Sequence, residues 1–170
     1  MAEEQACNSD LNKYDWKKMV DYAERLIQCG IKFSDKDSIQ DKRVAIVLLD
    51  QAVEILTKAF LLSRGYKVFY LPKDTVEKGL EETKVVDKER GIDSKTGFKI
   101  INDKQLLHLT SDFDQKFKEF HKIRNKLYHG TLEHVYENKE LALDGFKPKL
   151  KEFYEAAFDK SFEEDCINKD

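Results

Sequence analysis

Apolar residues recur along this chain at steps of three and four, the spacing of one face of an α-helix. Trp16, Met19, Ala23, Leu26 and Ile27 form a first such stripe, with Asp15 placed to cap it and Gly30 to end it. Ile31 to Asp37 then reads as a charged connection. A second helix is expected from Ser38 to Arg64, closed by Gly65. Between Val44 and Leu62 it is apolar over most of its circumference, as suits the central helix of a bundle. Its polar exceptions, Asp50, Glu54, Thr57 and Lys58, share one narrow stripe. That stripe reads either as a solvated face carrying a Glu54–Lys58 pair or as an acidic row turned toward a site elsewhere in the fold.

Residues 66–101 break this rhythm. Val68 to Leu71 before Pro72 suggest an extended piece, and Thr75 to Glu82 a short helix. Gly91 and Gly97 lie between short β-branched clusters, a pattern that a small hairpin or an ordered loop satisfies. Asp103 to Leu109 reads as a short helix. Phe113, Phe117, Phe120, Ile123 and Leu127 then mark a longer amphipathic helix, capped by Ser111 or Asp112 and stopped at Gly130. A further helical hairpin starts at Leu132 to Tyr136. Its stripe continues through Leu141, Phe146, Leu150, Phe153, Ala157 and Phe158, with Pro148 marking a kink or break. The tail after Phe162 is acidic and reads as loose. The whole, residues 1–170, is expected to be one all-α domain, a helical bundle with a loop or hairpin inserted around residues 66–101.

Composition narrows the class without naming a chemistry. With 170 residues, 41% hydrophobic and 37% charged, the chain can bury one sizeable core beneath a highly charged surface. The net charge of -3 gives no global field to attract nucleic acid, so any RNA contact must be local. One local patch exists: between Lys116 and Gly130, Lys116, Lys118, Lys122, Arg124 and Lys126 oppose only Glu119. Cys7, Cys29 and Cys166 are far apart and form no C-x-x-C pair, which implies neither a disulfide framework nor a zinc site. An acidic N-terminus without an apolar run, and a longest apolar stretch interrupted by charges, lead us to expect a cytoplasmic protein with no membrane partner. His108, His121, His129 and His134 lack a metal-ligand spacing, and no carboxylate cluster or phosphate loop is evident, so neither a metal nor a cofactor is expected.

The chemistry concentrates in Phe117 to Gly130, F-K-E-F-H-K-I-R-N-K-L-Y-H-G. Arg124 interrupts the apolar stripe, pointing in nearly the direction of Phe113 and Phe120. Asn125 and His129 face the same way one turn apart, with His121 a turn earlier in that row. RNA brings its own nucleophile, the 2′-OH, so its cleavage needs no metal. It needs a proton-transfer group near neutral pKa and a fixed cation for the charge on phosphorus. Histidine suits the first task and arginine the second. Asn125 would orient the phosphate or the His129 tautomer. Tyr128 would stack on a base, and Lys126, Lys122 and His121 would contact substrate.

The string Arg124-Asn125-Lys126-Leu127-Tyr128-His129 resembles the Arg-x4-His motif of HEPN domains, all-helical modules of RNA-cleaving toxins and defence proteins. The resemblance covers roughly the second helix and residues 103–160. It implies a metal-independent endoribonuclease leaving a 2′,3′-cyclic phosphate, working as a homodimer whose two motifs meet in a cleft. Arg124 and His129 would be its catalytic centre, supported by Asn125. Asp50 or Glu54 would be the polar residue that some members carry on the second helix. An antitoxin or other regulatory protein is a further implied partner. Thr131 stands where toxins silenced by tyrosine modification carry that tyrosine. The alternatives are a non-catalytic HEPN module binding RNA, a nucleotide or a partner protein, and an unrelated helical interaction protein.

Overall fold

The computed structural model describes residues 15–66, 68, 91–129 and 139–168, and is all-α over them. Its elements are α1 (Trp16–Ser34), α2 (Ile39–Ser63), α3 (Ser94–Asp103), α4 (Phe113–His129), α5 (Lys139–Phe158) and a terminal π turn (Glu163–Ile167). Asp15 caps α1 by accepting from the Lys17 amide, and Ser38 caps α2 by accepting from Gln40. Gly65, at φ +84, closes α2. The Tyr66 amide returns to the Leu61 carbonyl and the Gly65 amide to Leu62, so the last carbonyls are satisfied as the sequence predicts.

Gly30 does not end the first helix. α1 runs on to Ser34, and Gly30 is buried where α1 meets α2. A Cβ there would stand 2.8 Å from Leu49, so the missing side chain serves close helix approach rather than a stop. The helical hairpin of α1 and α2 forms one side of the bundle, and α2 also packs on α3, α4 and α5. Covered on so many sides, α2 keeps its polar stripe largely out of water. Asp50 is 1% exposed, Thr57 is fully buried and Lys58 is 7% exposed, so the stripe is not a solvated face, although the expected Glu54–Lys58 pair forms and Glu54 stays partly exposed.

Residues 94–103 are helical where the sequence suggests a loop or hairpin. Asp93 caps α3 by accepting from the Thr96 amide at 2.7 Å, and Phe98 and Ile101 are buried. The strand-like reading failed because Gly97 is no turn residue. It lies inside α3 against α2, where a Cβ would meet Thr57 Cγ2 at 2.3 Å. The expected short helix at 103–109 is absent, since α3 stops at Asp103. Gln105 closes it in the left-handed region at φ 51, with its own amide on Asn102 and that of Leu106 on Ile101. That stop carries no glycine to mark it. The segment 69–90, with its expected extended piece and short helix, lies outside the described residues, as do residues 130–138. One prediction follows. Gly97→Ala should destabilise the fold by about 1–3 kcal/mol by overpacking against Thr57, although alanine is the better helix former by about 1 kcal/mol. Chemical denaturation checks this, and adding Thr57→Ser should restore most of the loss.

The remaining helices close over an aromatic core. Phe98 packs on Phe117, Phe113 and Phe153 at ring-centroid distances of 4.5, 5.2 and 5.1 Å. Phe120 and Phe146 stack at 3.6 Å, tying α4 to α5. Pro148 does not break α5; it lies exposed inside a continuous helix, where it removes the N–H that would otherwise bond the Asp144 carbonyl. Nor is the C-terminal segment loose. Phe162 and Cys166 are buried, and the π turn packs on α1, where Gln28 Nε2 donates to the Asp165 carbonyl. Buried Glu24 anchors it, accepting from Tyr154 at 2.6 Å and Lys160 at 2.7 Å. Burial beside Glu24 and Asp165 pushes the Cys166 thiol up to about 12. No described helix is long and apolar enough to cross a membrane.

Candidate functional site

α4 is positioned at its start by a surface network. Lys149 of α5 donates to Asp112 at 2.6 Å and to Thr110 at 2.7 Å, and the Asp112 carbonyl accepts from the Lys116 amide. The Lys149 hydrogen bond holds the Asp112 carboxyl below its usual range. From there Phe113, Phe117 and Phe120 bury one face of α4, which presents Arg124 to α2 on the same side.

Arg124 meets Asp50. Its Nε donates to Asp50 Oδ2 at 2.6 Å, and its Nη1 donates to Asn125 Oδ1 at 2.9 Å. The other carboxylate oxygen, Oδ1, accepts from His121 Nδ1 at 2.9 Å. Asp50 is therefore a buried carboxyl with each oxygen bonded to a different α4 side chain, as a polar group kept from water requires. Asn125 spends its carbonyl oxygen on Arg124, which leaves its amide N–H groups as donors. The His121 ring is also held by stacking on Phe117.

Beside this chain of bonds lies an open groove of about 750 Å³, lined by Lys95, Phe117, Lys118, His121, Lys122, Asn125 and Lys126. Lys118 pairs with Asp114, and outside the groove Lys116 pairs with Glu119 at 3.4 Å. Among the described residues, Lys95, Lys122 and Lys126 face no carboxylate. The groove is therefore cationic around an apolar floor, although the chain as a whole is acidic. Lys95 comes from α3 and went unnoticed in the sequence. Its only signal was the four-residue spacing to Lys99 on a helix that was itself not expected.

The structure thus brings together four of the sequence-predicted residues, Asp50, His121, Arg124 and Asn125, and sets Lys122 and Lys126 on the groove. Arg124 is not a lining residue of that groove. It stands behind Asn125 and His121, against Asp50. Glu54 is not part of the cluster, because its carboxylate pairs with Lys58 at 2.7 Å one turn away. His129 is the last residue of α4, and its side chain and that of Tyr128 lie outside the described residues. No group of three or more His, Cys, Asp or Glu that could hold a metal ion is found among the described residues. No family model, curated protein or solved structure matches this chain.

Proposed function

We propose that this protein is a metal-independent endoribonuclease of the HEPN type, cleaving RNA by attack of the 2′-OH to leave a 2′,3′-cyclic phosphate. The observation that carries this reading is the Asp50–Arg124–Asn125 chain of hydrogen bonds at the edge of a lysine-lined groove. Asp50 fixes the guanidinium, and Arg124 in turn orients Asn125, whose amide N–H groups donate to a phosphate oxygen. Lys95, Lys122 and Lys126 supply the charge that draws in the RNA backbone, a local attraction that salt would screen. His129 would act in proton transfer and Tyr128 would stack on a base. A homodimer would bring two such motifs to one cleft, and a toxin or defence role with a regulatory partner fits the same resemblance.

A second reading has its own support. Two nitrogens of Arg124, Nε and Nη1, are committed to protein partners. An arginine used in this way can be the neutralising partner of a buried carboxylate, in a module that binds RNA, a nucleotide or another protein without cleaving it.

One assay separates the two. In EDTA, the wild type should cleave mixed RNA and leave 2′,3′-cyclic phosphate ends, whereas Asn125→Ala and His129→Ala of unchanged circular dichroism should lose that cleavage. Salt-sensitive RNA binding without cleavage would favour the binding module. Equal cleavage by all three proteins would identify a contaminating nuclease.

A further inference from the structure

Every residue proposed above for proton transfer comes from the Arg-x4-His string, and that string contains a single histidine. The structure adds another. His121 lies outside it, three residues before Arg124, and its Nδ1 sits 2.9 Å from a carboxylate that is 1% exposed. A buried carboxylate on Nδ1 takes that nitrogen's proton as a hydrogen bond. In the neutral ring this leaves Nε2 as the acceptor, and it fixes the plane of the ring. The ring is 28% exposed and lines the groove, so the held imidazole is open to a ligand there.

The row of α4 gives this imidazole a counterpart. His121, Asn125 and His129 follow at steps of four. The two histidines are therefore about 12 Å apart along the axis and within about 80° of each other around it. Asn125 lies between them, with its amide N–H groups uncommitted to Arg124. In-line displacement at phosphorus needs a base on one side and an acid on the other.

We infer that His121, held by Asp50, is the general base of this site. This rests on the endoribonuclease reading above. In the step, the Nε2 lone pair takes the proton of the 2′-OH, and O2′ forms its bond to phosphorus. The P–O5′ bond breaks with its electron pair on O5′, which takes a proton from the His129 imidazolium. The products are a 2′,3′-cyclic phosphate and a 5′-hydroxyl. The two histidines end with their protonation states exchanged, and solvent resets them.

The test uses a defined single-stranded RNA in EDTA, with its 2′-deoxy version at the cleaved position as a binding probe. His121→Ala should cleave on the order of 10²–10⁴-fold more slowly. Because alanine also removes a partner of Asp50, His121→Asn is the decisive variant. Its amide nitrogen can replace Nδ1 on Asp50 while lacking Nε2. It should fold as the wild type does, still bind the 2′-deoxy RNA, lose cleavage to the same extent as His121→Ala, and stay inactive when imidazole is added. Free imidazole should restore part of the activity of His121→Ala. If the wild type cleaves and His121→Asn cleaves equally well, the base assignment is wrong while the endoribonuclease reading stands. If the folded wild type cleaves no RNA at all, both fall.

Discussion

Arg124→Ala should lower the unfolding free energy by about 3–5 kcal/mol, the cost of breaking a buried ion pair from one side. The carboxylate left behind is 1% exposed and keeps its hydrogen bond to His121 Nδ1. Arg124→Lys should recover only part of the loss, because an ammonium cannot bond Asp50 and Asn125 in one plane as the guanidinium does. Urea unfolding monitored by circular dichroism gives the number. The informative control is Asp50→Leu combined with Arg124→Met, which removes both charges and should lie close to the wild type in stability. A loss below about 0.5 kcal/mol for Arg124→Ala alone would mean that the pair is solvated, as surface pairs are.

This stability effect bears on how activity data should be read. An Arg124→Ala protein that fails to cleave RNA has lost a structural tie as well as a cation. Asn125→Ala and His121→Asn are cleaner probes, because each leaves the Arg124–Asp50 bond in place. For the same reason Arg124 belongs with the groups that position the site rather than with those that line it.

How far the site could be read from the sequence follows from the same pair. Arg124 stood out because it broke an apolar stripe, a local signal. Asp50 was visible only as one member of a polar stripe on α2, 74 residues away, and periodicity cannot tell a solvated stripe from one turned onto another helix. Burial decided it, and burial depends on which helices cover α2. Glu54 and Asp50 are one turn apart and chemically alike, yet only Asp50 lies against α4. His121 could be placed on the same row as Asn125, but nothing in the sequence gave it a carboxylate partner. In the fold, α2 was legible because cap, apolar run and glycine all agreed. Where glycine was used for packing, as at Gly30 and Gly97, the same residue type gave the wrong boundary. α3 was missed for that reason, and because its true stop, Gln105, is not a residue that usually takes a positive φ.

Phe153→Ala should cost about as much as Arg124→Ala, roughly 3–5 kcal/mol, but for an unrelated reason. Phe153 is fully buried on α5, and its ring contacts Phe60 of α2, Phe98 of α3 and Phe113 of α4 at centroid distances of 6.4, 5.1 and 6.0 Å. One side chain thus joins four helices, and its neighbours are rings whose orientations are fixed by each other. They cannot slide inward to fill the space without giving up their own edge and tilted contacts, so most of the cavity persists. Phe153→Leu refills part of that volume and should recover much of the loss. The effect should also reach the site through Phe113, the first residue of α4, because that end of the helix loses a packing partner. Amide hydrogen exchange at the start of α4 should therefore quicken in Phe153→Ala beyond what the global destabilisation accounts for, while exchange along α1 follows the global loss alone. Uniform acceleration across both helices would show that the aromatic cluster supports the bundle as a whole and does not set the position of α4.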